Sequence, residues 1–184
     1  MRLVADLLTG LRLLLGVTYP AVLARGGVWP LFVWMLAAGS DYVDGPLARR
    51  AGAGSGPGAG SGHGAVLDSV ADVVFVLGGL GAAAFAGTVP WVVPLSVVAS
   101  VSAYAVASWR ASRQTSGVRL ARNAAGHAAG VMNYLCVGVI AARDVLAPTP
   151  WTLLLALAAT ATVGLNAAAV GARLLGGQLA RRTT

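Results

Sequence analysis

The chain has 184 residues, 57% of them hydrophobic and 10% charged, and its net charge of +7 comes from arginines and aspartates alone, with neither lysine nor glutamate. Several apolar runs reach about 20 residues, the length that crosses a bilayer, and a water-soluble domain of this size has too little interior to hide so many. The excess of arginine follows GC-rich coding and membrane topology, and gives nucleic-acid binding no support as a function.

The first span is expected over residues 4–23. Arg2, Asp6 and Arg12 make its opening turns amphipathic, so it begins as a short N-terminal helical segment in the membrane interface. It has no charged leader followed by a cleavage site, so it is expected to be retained. The second span, 29–48, closes on Asp41, Asp44, Arg49 and Arg50. Residues 51–64 then read AGAGSGPGAGSGHG, which makes 51–63 a flexible Gly/Ser-rich loop. A phosphate-cradling glycine loop is the rival, but no strand precedes it and it lacks the lysine of a P-loop.

The third span, 64–86, carries Asp68 and Asp72, and the fourth covers 89–109. After it, SWRASRQTSGVRLARNAAGH at 108–127 holds Arg110, Arg113, Arg119 and Arg122 in two pairs spaced three apart. These are either anchors that snorkel to the membrane face or a guanidinium cluster for a phosphorylated substrate. The fifth span, 121–142, contains Gly126 and Gly130 as a small-xxx-small pair, suited to packing within the chain or to a dimer face, with Asn133 beyond. Cys136, the single cysteine, is a small packing residue, and His63 and His127 are interfacial histidines with a ligand role as the alternative. The sixth span is 151–174.

The expected fold is therefore all-α, one polytopic domain over 1–184 with six transmembrane helices. An even number of spans puts both termini on one side. That side holds Arg2, Arg12, Arg49, Arg50, Arg110, Arg113, Arg119, Arg122, Arg173, Arg181 and Arg182, and the other only Arg25 and Arg143. The positive-inside rule makes the first side, with the termini and four aspartates, cytoplasmic.

Those aspartates carry the chemistry. At about 100° per residue, Asp41, Asp44, Gly45 and Ala48 share one helix face, and Gly64, Asp68 and Asp72 share another. An ionised aspartate at the centre of a membrane helix costs about 2.5–3.5 kcal/mol on insertion scales, so four must be neutralised or kept near the interface. Oxygen-only ligands select magnesium, manganese or calcium over zinc. Two such ions would cancel four carboxylates, and a pair of metals clamps the attacking and leaving oxygens in phosphoryl transfer. The small residues on the same faces leave room for a bulky ligand, and Arg49 follows them within reach of a phosphate.

The segment Asp41-Tyr-Val-Asp44-Gly45-Pro-Leu-Ala48-Arg49, followed by Gly64-Ala-Val-Leu-Asp68-Ser-Val-Ala-Asp72, resembles the D-x-x-D-G-x-x-A-R then G-x-x-x-D-x-x-x-D signature of the CDP-alcohol phosphotransferases, at all eight defining positions. LLTGLRLLLG in the first span, with Thr9 and Arg12, is similar to the family's usual opening, although Asp6 stands where asparagine is common. The loop between Arg49 and Gly64 is longer than the family pattern. A flexible insertion costs little closure entropy, about 0.6 kcal/mol per doubling of length, so the motif halves can still meet.

The resemblance implies a magnesium-dependent enzyme, in a bacterial plasma membrane and usually homodimeric, with two Mg2+ per subunit and Mn2+ as a substitute. Asp41, Asp44, Asp68 and Asp72 would hold the metals. Asp44, Gly45, Ala48, Arg49, Gly64, Thr9 and Arg12 would border the CDP moiety, and Asp72 would take the acceptor's proton. The expected reaction transfers a phosphatidyl group from CDP-diacylglycerol to a phosphorylated alcohol such as glycerol 3-phosphate or inositol phosphate and releases CMP. The arginines at 110, 113, 119 and 122 are candidates for the acceptor phosphate. Serine, a lipid alcohol or a soluble CDP-linked headgroup are alternatives within the family. An inactive scaffold or a divalent-cation transporter are alternatives outside the activity.

Overall fold

The computed structural model describes the backbone of residues 2–50, 63–113, 123–146 and 151–182, and the side chains of 9–40, 66–113, 123–146 and 151–175. Within these residues the chain forms six helices: α1 (Arg2–Arg25), α2 (Trp29–Arg50), α3 (His63–Phe85), α4 (Val92–Arg113), α5 (Ala124–Ala141) and α6 (Trp151–Arg182). The expected spans are all present as helices. The start of α1 is continuous with the rest of that helix rather than a separate interfacial piece. The fourth helix opens three residues later than expected, after a turn in which Val93 N donates to the Pro90 carbonyl at 3.0 Å.

Among the described residues, four helices are long and apolar enough to cross a membrane: Val66–Phe85 in α3, then α4, α5 and Trp151–Leu175 in α6. Only 28–39% of each apolar window is buried, so most of its side chains face outward, which suits lipid and not water. Arg12 lies early in α1, Asp41, Asp44, Arg49 and Arg50 follow the apolar stretch Trp29–Ser40 of α2, and Asp68 and Asp72 stand near the start of α3. Polarity is thus concentrated at one end of the first three helices.

Turn chemistry sends the chain back and forth. Gly26 and Gly27 take φ of 70° and 72° in the α1–α2 turn, where a side chain would be strained. Gly87, at φ 70°, closes α3: its N–H donates to Ala84 O, and Thr88 N donates to Ala83 O at 2.8 Å, the paired bonds of a Schellman cap. Asn123 caps α5 by accepting a bond from Gly126 N at 2.7 Å. At the far end of the bundle Asp144 ties two turns together, accepting from Gly27 N and from Arg143 Nε. The Gly27 bond, with help from Arg143, holds its carboxyl below the usual carboxylate range.

The core is built from Tyr19, Phe75, Leu80, Val93, Val97 and Val137. Its tightest feature is the crossing of α1 and α3. Pro20 leaves the Gly16 carbonyl without its usual i+4 donor, and that carbonyl lies where a Cβ on Gly78 would come within 2.8 Å. A Cβ on Gly16 would in turn meet Phe75 N at 2.8 Å. The two backbones touch because neither position carries a side chain. Gly16→Val is therefore expected to force α1 and α3 apart and destabilise the protein by about 1–3 kcal/mol. Gly10→Ala, with open space around it, should leave the thermal midpoint in detergent unchanged or slightly raised, because alanine favours the helix more than glycine does.

The small-xxx-small pair of α5 divides. Gly126 lies against Arg173 and Asn123 of the same chain, whereas Gly130 faces open space. Asn133 is buried and accepts a bond from Asn166 Nδ2 at 2.8 Å, joining α5 to α6. Cys136 is buried and unpaired, as a packing residue should be, and His127 is exposed.

Candidate active site

Close approach of α1 to α3 sets Arg12, one turn before Gly16, beside the acidic face of α3. Its side chain is fully buried. Nη1 lies 2.7 Å from Asp68 Oδ1 and 3.0 Å from Asp72 Oδ1, while Nε and Nη2 reach Ser40 Oγ of α2 at 3.3 and 3.2 Å. Ser40 donates its own proton to Ala37 O at 2.8 Å, which frees its oxygen to accept from the guanidinium. One cation thus pins three helices. A buried arginine is tolerable because planar, charge-assisted bonds replace the water it loses.

Asp68 and Asp72 are one turn apart on the same face of α3, as their spacing predicts. Their side chains are 42% and 31% exposed, open enough for a ligand. Asp68 Oδ2 meets no hydrogen-bond donor among the described residues. From α5, Tyr134 donates its hydroxyl to Asp72 Oδ1 at 2.7 Å. Among the described residues no third histidine, cysteine or acidic side chain joins the pair.

The helical backbone of α2 carries on past Ser40 through positions 41 and 44, the latter one turn beyond Ser40 on its face. The side chains of Asp41, Asp44, Gly45, Ala48 and Arg49 lie outside the described residues, as do the surroundings of Gly64, the loop at 51–62, and Arg119 and Arg122. Thr9 is half-buried, one turn before Arg12. Arg110 is exposed at the end of α4, and Arg113 rests on the Trp109 ring, 4.0 Å from its centroid. That contact is worth about 0.5–1 kcal/mol at an exposed site and fits an interfacial anchor.

A family model described as CDP-alcohol phosphatidyltransferase matches residues 2–169. The chain belongs to this family. Neither the curated proteins nor the solved structures contain a match to it. Family membership makes the chain a transferase of phosphate-containing groups, and its apolar helices place it in a membrane.

The contacts of two residues, Tyr134 at the site and Arg173 between α4, α5 and α6, have no counterpart in the sequence expectations. Tyr134 is one; a tyrosine in an apolar span signals only that its hydroxyl needs a partner. Arg173 is the other. Counted above with the charges at the membrane face, it turns inward from α6, donating from Nη1 to Ser100 O at 3.3 Å and lying over Tyr104, 5.4 Å from the ring centroid. Its Nε is buried without a partner among the described residues. Arg12, counted with the same set, also lies inside the bundle. A cavity of about 640 Å3, lined by Pro20, Leu23, Ile140 and Asp144 among others, lies at the opposite end and takes no part in this site.

Proposed function

We propose that all six helices span the membrane as one domain over 1–184, with the aspartates on the cytoplasmic side, and that the protein transfers a phosphatidyl group from CDP-diacylglycerol to a phosphorylated alcohol, releasing CMP. The observation that carries this reading is the carboxylate pair Asp68 and Asp72, half-open and braced by one buried guanidinium, in a chain of this family.

Hard, solvent-accessible carboxylate oxygens, one of them without a donor among the described residues, fit magnesium. Asp41, Asp44, Asp68 and Asp72 would hold two such ions, which supply charge stabilisation to the phosphoryl oxygens when bound. Asp44, Gly45, Ala48, Arg49, Gly64 and Thr9 would border the CDP group. Asp72 accepts the proton as the acceptor's hydroxyl oxygen attacks the β-phosphorus of the donor. The bond from that phosphorus to the bridging oxygen breaks, and its electron pair leaves with CMP.

Arginine near the same end favours an acceptor that carries its own phosphate. Arg110 is exposed there, and Arg173 adds a guanidinium beside the N-terminus of α5, where the helix dipole is also positive. A cation pathway is the poorer reading, because Asp144 at the far end is taken up by Gly27 and Arg143.

The test is CMP release by the purified protein with magnesium, CDP-diacylglycerol and a panel of glycerol 3-phosphate, inositol phosphate, inositol and serine. Turnover is expected with a phosphorylated acceptor. Arg110→Gln or Arg173→Gln should raise the KM for that acceptor by about tenfold or more, the worth of a charge-assisted bond, and leave the donor KM alone. Turnover with the unphosphorylated alcohols only would remove the acceptor assignment, and no CMP with any acceptor would remove the reaction.

A further inference from the structure

Asp72 is held from two directions. Arg12 reaches its Oδ1 from α1 and Tyr134 reaches the same oxygen from α5. Two donors on one oxygen fix the plane of the carboxylate.

Tyr134 is itself rigidly placed. Its ring stacks on Phe75 with centroids 5.6 Å apart and planes 14° apart, and Phe75 packs in turn on Tyr19 at 4.6 Å. Phe75 follows Asp72 by three residues, so the platform under the ring and the acceptor of the hydroxyl share one face of α3. The backbone is tied as well: Tyr134 O accepts a bond from Trp34 Nε1 of α2 at 2.8 Å. The Trp34 ring fits only because the next turn of α5 offers Gly138, where a Cβ would come within 2.6 Å of it. So α5 rests on α2, which carries Asp41 and Asp44, and on α3, which carries Asp68 and Asp72.

We infer that Tyr134 is a positioning residue that orients the Asp72 carboxylate toward the acceptor hydroxyl. The inference rests on the role given to Asp72 above. A general base must lie within hydrogen-bond reach of the proton it takes, so a swinging carboxylate spends most of its time out of position.

Tyr134→Phe keeps the ring on Phe75 and the carbonyl on Trp34 and removes only the hydroxyl. In the full-length protein kcat is expected to fall by about tenfold or more, with both KM values within about twofold of the parent. In an Asp72→Asn background the same change should cost little further, since the residue acts through Asp72. An unchanged kcat, or an equal loss in both backgrounds, overturns the inference. If the parent protein releases no CMP, the reaction reading fails on its own, and the inference is then decided by thermal unfolding of the parent, Tyr134→Phe, Asp72→Ala and the double variant, since alanine, unlike asparagine, cannot accept from the hydroxyl. Shifts in midpoint that do not add show that the hydroxyl holds Asp72, and additive shifts overturn it.

Discussion

Asp72→Asn is expected to lower CMP release by about 10^3-fold, within the range of 10^2 to 10^4 that a positioned general base contributes. The substitution preserves shape, and the Asn carbonyl oxygen can still accept from Arg12 and Tyr134, so α1, α3 and α5 stay joined. What is lost is the charge and the ability to accept a proton. The measurement is steady-state CMP release by parent and variant, with size-exclusion profile and thermal midpoint as the check on folding. A well-folded variant with an undiminished rate would remove Asp72 from the chemistry. Asp68→Asn should also reduce the rate, but through a higher magnesium requirement, since Asp68 Oδ2 is open to a ligand.

The second large effect is on stability. Arg12→Met removes the cation that, among the described residues, reaches Asp68, Asp72 and Ser40 together. Removing one partner of a fully buried pair costs about 3–5 kcal/mol; because both aspartates are partly exposed, about 2–3 kcal/mol is expected here. For a protein of this length that is a drop of about 5–10 °C in thermal midpoint. Magnesium should restore more of the midpoint in the variant than it adds to the parent, because it neutralises the same carboxylates and binds only the folded state. A variant with an unchanged midpoint and a raised donor KM would show instead that Arg12 serves the CDP group, as the resemblance of the first span suggests.

Arg12 shows where sequence reading stops. Its neighbours in the chain, Leu11 and Leu13, mark it as a charge in an apolar helix and give no sign of its partner. The partner depends on how far α3 slides along α1, and Gly16 and Gly78 settle that by allowing backbone contact at one level. Tyr134 and Arg173 are illegible for the same reason. Each bonds a residue at least 60 positions away in the chain, and no local period reports such a pairing. The positions of the helices were legible, since a run of apolar residues long enough to cross a bilayer has few other ways to satisfy its backbone.

The sequence by itself determined the six helices, the concentration of polarity at one end of the first three, the family, and the i, i+4 register that puts Asp68 and Asp72 on one face. These are local or compositional properties, set by hydrogen-bond geometry within a helix and by the cost of charge in lipid. Only the tertiary structure decided that Arg12 neutralises that face, that Ser40 and Tyr134 brace it from α2 and α5, and that Arg173 turns inward. Those contacts arise from helix crossing, where the absence of a single Cβ selects which side chains meet.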